Sequence, residues 1–200
     1  MYTKLLLSCI TLFFAVSIGW GQTEYFVKQG SSGVGTSFAD AFGDLQDALD
    51  VASNGDKIYV AVGTYYPSTQ YDFNTGNVIT GDPRAASFKI PSGVQVYGGF
   101  SGNETGAIDQ AVLDARDFDT NETVLSGDIG VLGNTSDNSY HVVCTINVIL
   151  TKIDAFTITR GRTKTSSGRG AGLFNIATQS NNYYLTVENC IFDSNRAVTG

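Results

Sequence analysis

Two nine-residue stretches of the chain match without a gap: Ile153-Asp154-Ala155-Phe156-Thr157-Ile158-Thr159-Arg160-Gly161 and Val187-Glu188-Asn189-Cys190-Ile191-Phe192-Asp193-Ser194-Asn195. Apolar residues coincide at Ile153/Val187, Phe156/Cys190 and Ile158/Phe192, and an acid follows the first apolar residue in both. In each stretch the apolar positions step by three and then by two, which breaks the alternation of a flat strand at one place. A strand that skips a beat must bend there. Two segments that bend at the same place read as successive turns of one solenoid, each rounding the same corner. Their offset of 34 residues is longer than one turn of about 20–25 residues needs. The polar segments 163–170 and 178–182 are therefore expected to leave the turn as loops.

The rest of the chain agrees with many short strands. Runs rich in β-branched and aromatic residues span 87–90, 94–97, 123–126, 141–150, 152–159, 172–176 and 184–192, separated by Gly, Asn, Asp and Ser. Ile58, Val60, Val94, Val96, Val142, Cys144, Ile146, Ile153, Phe156, Ile158, Val187, Cys190 and Phe192 are the expected inward positions. One helix stands out. Leu45, Ala48, Leu49 and Ala52 recur at helical spacing across 44–52, and Asn54-Gly55 follows as a stop. A short helix with one apolar face, leading directly into the strand 57–62, suits a lid over an open sheet end.

The first residues carry an export signal. Lys4 is followed by an apolar run from Leu5 to Ile18, and Gly19 and Gly21 put small residues at −3 and −1 of a cut before Gln22. Residues 1–21 are thus expected to be a signal peptide, and 22–200 to be the mature chain, secreted or displayed at the cell surface. A membrane span needs about 18–20 apolar residues, so no transmembrane helix is expected in the mature chain. The formal charge of −7 becomes −8 without Lys4. So acidic a chain is a poor partner for nucleic acid, whose phosphates demand cations. Cys144 and Cys190 are the thiols left after the cut, too few for a disulfide scaffold.

Several segments resemble known families. Residues 45–49 and 55–65 are similar to the N-terminal cap of pectate-lyase-like right-handed parallel β-helix proteins. Residues 93–105, 125–130 and 154–158 resemble stretches of large β-helix surface proteins of the Bacteroidetes type. Gly170-Ala171-Gly172-Leu173-Phe174 and Phe192-Asp193-Ser194-Asn195 look like the glycine-rich and Phe-x-x-Asn signatures of polymorphic outer membrane protein repeats. The resemblance implies an all-β fold, a right-handed parallel β-helix with a short N-terminal capping helix. It also implies further turns, so 22–200 is expected to be the N-terminal part of a domain cut short at Gly200. Such scaffolds carry adhesins, polysaccharide lyases and stalks, so function has to be argued from the site.

The expected role is binding, toward carbohydrate or another cell surface, without catalysis. The alternatives are a polysaccharide lyase acting on an anionic glycan and a purely structural stalk. Arg160, Arg162, Lys164 and Arg169 form one basic cluster in an acidic chain and are the candidate ligand-binding residues. Asp117, Asp119 and Asn121 place oxygens at alternate positions, and Asp128 lies where a calcium loop would close. These four are the candidate metal ligands and calcium the candidate ion. Glu122 stands where such a loop requires Gly, which favours a plain Asx turn and no cofactor. His141 reads as structural, and Tyr65, Tyr66, Tyr71 and Phe73 as covers for the first turn. No residue is assigned a catalytic role.

Overall fold

The computed structural model describes residues 21–163, 169–178 and 183–197. Its strands form three parallel sheets. The largest runs β1 (Glu24–Val27), β2 (Lys57–Ala61), β5 (Gln95–Phe100), β8 (Thr151–Asp154) and β11 (Leu185–Glu188). The second runs β3 (Gly63–Tyr65), β6 (Thr123–Ser126), β9 (Thr157–Thr159) and β12 (Ile191–Asp193), and the third β4 (Phe88–Lys89), β7 (Val143–Ile146) and β10 (Leu173–Ile176). From β4 onward, consecutive strands lie in different sheets.

The matched stretches become neighbouring strands. Ile153 sits opposite Val187 and Ile158 opposite Phe192, in the register that the alignment predicts. The skipped beat has a backbone cause: Ala155 and Asn189 both take left-handed conformations, with φ of +64° and +50°. Arg160 and Ser194 repeat this at +62° and +52°. A left-handed residue turns the strand and resets which face the next side chain meets.

The helix α1 (Leu45–Val51) forms where its apolar spacing predicts. The Asp44 carboxylate accepts from the Gln46 N–H and caps it. Its stop comes earlier than expected, because Ala52 is already extended; Asn54 and Gly55 instead make the turn into β2, with Gly55 at φ +98°. Leu45, Ala48 and Leu49 pack with Val27, Ile58, Val60, Val96, Ile153, Phe156 and Ile158 in the main core.

The expectation of an all-β right-handed parallel β-helix is corrected by these elements. The described residues form an α/β-like arrangement: three sheets of five, four and three strands, with α1, a second helix α2 (Gln110–Asp114) and two 3-10 turns, Phe38–Asp40 and Pro83–Ala85. The physical reason lies on the outer face of the five-stranded sheet. Phe26, Tyr59, Ala61, Tyr97 and Phe100 are buried there in a second core, under Phe38 and Ala41 on one side and Ile108, Val112 and Leu113 on the other. Strands covered on both faces behave as layers between helices.

Two inward assignments, Cys144 and Ile146, are corrected as well; Ile146 lies two positions after Cys144 in β7, on the same face, and outside the main core. Val187 and Phe192 share the inward rows of Ile153 and Ile158 but are 37% and 48% exposed, because β11 and β12 are the outermost strands of their sheets. Cys144 is buried but shares its row with Lys89 and Phe174, whereas Val143 and Phe88 belong to the main core. It therefore faces away from that core, and burial pushes its thiol up to about 11. Both described cysteines are free. Among the described residues no helix is long and apolar enough to cross a membrane.

Candidate functional site

The alternation of β8 sends Ile153 into the core and Lys152 and Asp154 to the opposite face. Parallel register then builds a row across three strands, Tyr97 beside Asp154 beside Glu188. Lys152 Nζ reaches Glu188 Oε2 at 2.7 Å and Asp154 Oδ2 at 3.3 Å. Arg116, just after α2, closes the network from above with Nη2 at 3.0 Å from Asp154 Oδ2. Its other donors bind the Leu113 and Gly98 carbonyls, both at 2.8 Å. The guanidinium also lies over the rings of Tyr97, Phe100 and Phe118. Asn189 Nδ2 donates to Asp154 Oδ1 at 2.7 Å, so both oxygens of this buried carboxylate are used.

The charges are set by these contacts. Burial works against ionising Asp154, but hydrogen bonds from Asn189 and Arg116 and the charges of Arg116 and Lys152 hold its carboxyl below the usual range. Burial likewise opposes the charge on Lys152, and the Glu188 bond with the Asp154 field outweighs it, holding the ammonium above the usual lysine range. Beside this network opens a cleft of about 330 Å³, walled by Gln110, Asp114, Phe118, Lys152, Glu188 and Asn189. Gln110 Nε2 donates to Asp114 Oδ1 at 2.7 Å. Phe118 remains 38% exposed. Gly99 lies so close that a Cβ there would stand 2.7 Å from the Phe118 ring, so glycine sets the ring's approach to the sheet. The cleft offers carboxylate and amide oxygens, an ammonium already paired, and one half-exposed aromatic ring. Its lysine and arginine are both paired with carboxylate, which suits binding better than proton abstraction.

The residues singled out in the sequence are placed elsewhere. Arg160 Nη1 lies 3.5 Å from Asp128 Oδ2, and Arg162 Nη1 donates to the Thr135 hydroxyl at 2.6 Å. Both are thus tied to the 128–135 loop. Arg169 is exposed, and Lys164 lies outside the described residues. Arg84, which sequence reasoning missed, donates to the Arg162 and Asn138 carbonyls and stacks on Tyr140. The Asp117 carboxylate is spent inside its own turn, accepting from Asp119 N, Thr120 N and Thr120 Oγ1. Asn121 joins that turn through its N–H to the Asp117 carbonyl. Asp128 instead accepts from Gly133 N and pairs with Arg160. Among the described residues no three His, Cys, Asp or Glu groups gather to hold a metal. His141 is stacked on Phe174 and edge-on to Phe73, with Nδ1 2.9 Å from the Gly170 carbonyl, so it packs the outer face of the third sheet.

One signal for the cleft was present in the sequence. The acid repeated after Ile153 and Val187 is the Asp154/Glu188 pair, and Lys152 precedes Asp154 by two, on the same face. Arg116 and Phe118 lie in no periodic run, and only tertiary packing brings them there. No protein-family profile, curated protein or solved structure matches this chain.

Proposed function

We propose that this is an exported binding protein that holds carbohydrate, without transforming it, in the cleft beside α2. The observation that carries the reading is the composition of that cleft: carboxylate and amide groups gathered around the half-exposed ring of Phe118. Sugars present the complementary surface, hydroxyls at the rim and C–H groups on the ring face, and sites for them combine a few placed polar groups with an aromatic wall. Export is supported by the n-region, apolar run and small-residue cleavage pattern ahead of Gln22. A lyase would need a neutral Lys or a free Arg at the acidic carbon, and the pairing of Lys152 and Arg116 argues against that use of this cleft.

The mature secreted chain should retain a subset of an immobilised glycan panel and release it unchanged, with no rise in ultraviolet absorbance from unsaturated uronate product. Retention of no glycan would overturn the reading. Appearance of that product would replace binding with catalysis.

A further inference from the structure

We infer that the cleft beside α2 is built for a neutral sugar and rejects a uronate, an inference that rests on reading it as a carbohydrate site. The acidic groups lining it are Asp114, Asp154 and Glu188, against two cations, Arg116 and Lys152. Both cations are already paired with carboxylates. The Arg116 side chain is 6% exposed, and its donors are divided among Asp154, Leu113 and Gly98. Lys152 bridges two carboxylates. A uronate entering here would bring its charge toward Glu188 and Asp114 with no unpaired guanidinium or ammonium to meet it, and like charges at such range repel.

The groups left over are acceptors and amides. Glu188 uses Oε2 on Lys152, and Asp114 uses Oδ1 on Gln110. The second oxygen of each accepts no hydrogen bond among the described residues, and carboxylate oxygens accept from sugar hydroxyls with charge-assisted bonds. Gln110 adds an amide carbonyl. Vicinal hydroxyls are the donors these oxygens need, and a neutral pyranose supplies them on one edge while laying a C–H face on Phe118. The ring is already positioned, with the Arg116 guanidinium 5.0 Å from its centroid and the Gly99 backbone against its edge, so little order is lost when a ligand stacks on it. The basic residues Arg160 and Arg162, the other attraction for an anionic polymer, are engaged by Asp128 and Thr135.

The test compares neutral xylo-, gluco- and manno-oligosaccharides with galacturonate and mannuronate oligomers of equal length, titrated into the mature chain at low and at physiological salt. Binding of at least one neutral series, insensitive to salt, is expected, with uronates weaker throughout. Phe118→Ala should weaken it about tenfold or more, Phe118→Tyr should keep it, and circular dichroism should show both variants folded. Glu188→Gln, which frees Lys152 from one carboxylate, should raise uronate affinity. Uronates binding more tightly than every neutral sugar would overturn this inference and leave the carbohydrate reading standing. Neutral binding that a folded Phe118→Ala leaves unchanged would overturn its placement at the cleft. Binding of neither class would remove the carbohydrate reading itself.

Discussion

Asp154 collects Arg116, Lys152 and Asn189 onto one buried carboxylate and so joins the end of α2 to β8 and to the turn that follows β11. Removing one partner from a buried pair leaves the others uncompensated, at a cost of about 3 kcal/mol. Asp154→Asn should therefore lower the stability of the chain by roughly that amount at pH 7, read as a fall in the urea midpoint with an unchanged slope. The acid limb gives the sign. The folded carboxyl sits below its ordinary value of 3.8, so its contribution is complete above that pH and is lost as pH falls below it toward the lowered value. The gap between wild type and Asp154→Asn should stay flat near neutrality and narrow only below about pH 4; a gap that narrows between pH 7 and 5 would contradict the assignment. The repeated acid was legible in the sequence because Asp154 and Glu188 recur 34 residues apart and in register. Its partner Arg116 was not, because it lies 38 positions earlier in the chain, in a turn with no periodicity.

Among the elements, α1 was legible and α2 was not, for a reason of length. The apolar face of α1 recurs over enough residues to show its period, and its packing on β1, β2 and β4 covers one end of the sheets. Asp44→Ala removes the cap from the Gln46 N–H and should cost about 1 kcal/mol. Helicity of α1, followed by hydrogen exchange at Gln46 and Asp47, should fray before the sheets do; uniform exchange across the fold would contradict a local capping role. The helix α2 has five residues, shorter than two turns, and is held by Asp109 at its start and Arg116 just past its end. The face it covers carried a readable mark. Tyr59, Ala61 and Tyr97 put apolar residues on the parity that strict alternation assigns to solvent, and a register shift after Tyr97 brings Phe100 to the same face. Apolar side chains on both parities of one strand signal cover on both faces. Reading only the inward set led to an all-β solenoid and missed the layer that makes the cleft.

At the scale of the molecule, the three parallel sheets share one core under α1, while the outer faces differ in what covers them. The five-stranded sheet is covered by the Phe38–Asp40 turn and α2, and the third sheet by the stack of Phe73, His141 and Phe174. The sequence points to a basic flank as the ligand site because charge is visible there without any fold. In the folded chain two of its arginines turn to Asp128 and Thr135, and the half-exposed aromatic ring lies instead beside α2. The most direct test is amide chemical-shift mapping of the ¹⁵N-labelled chain with a neutral oligosaccharide that it retains. The account predicts that the largest saturable shifts fall on Gln110, Asp114, Phe118, Lys152, Glu188 and Asn189, with Arg160, Arg162 and Arg169 unmoved. Shifts confined to Arg160, Arg162 and Arg169, with the α2 cleft silent, would contradict it.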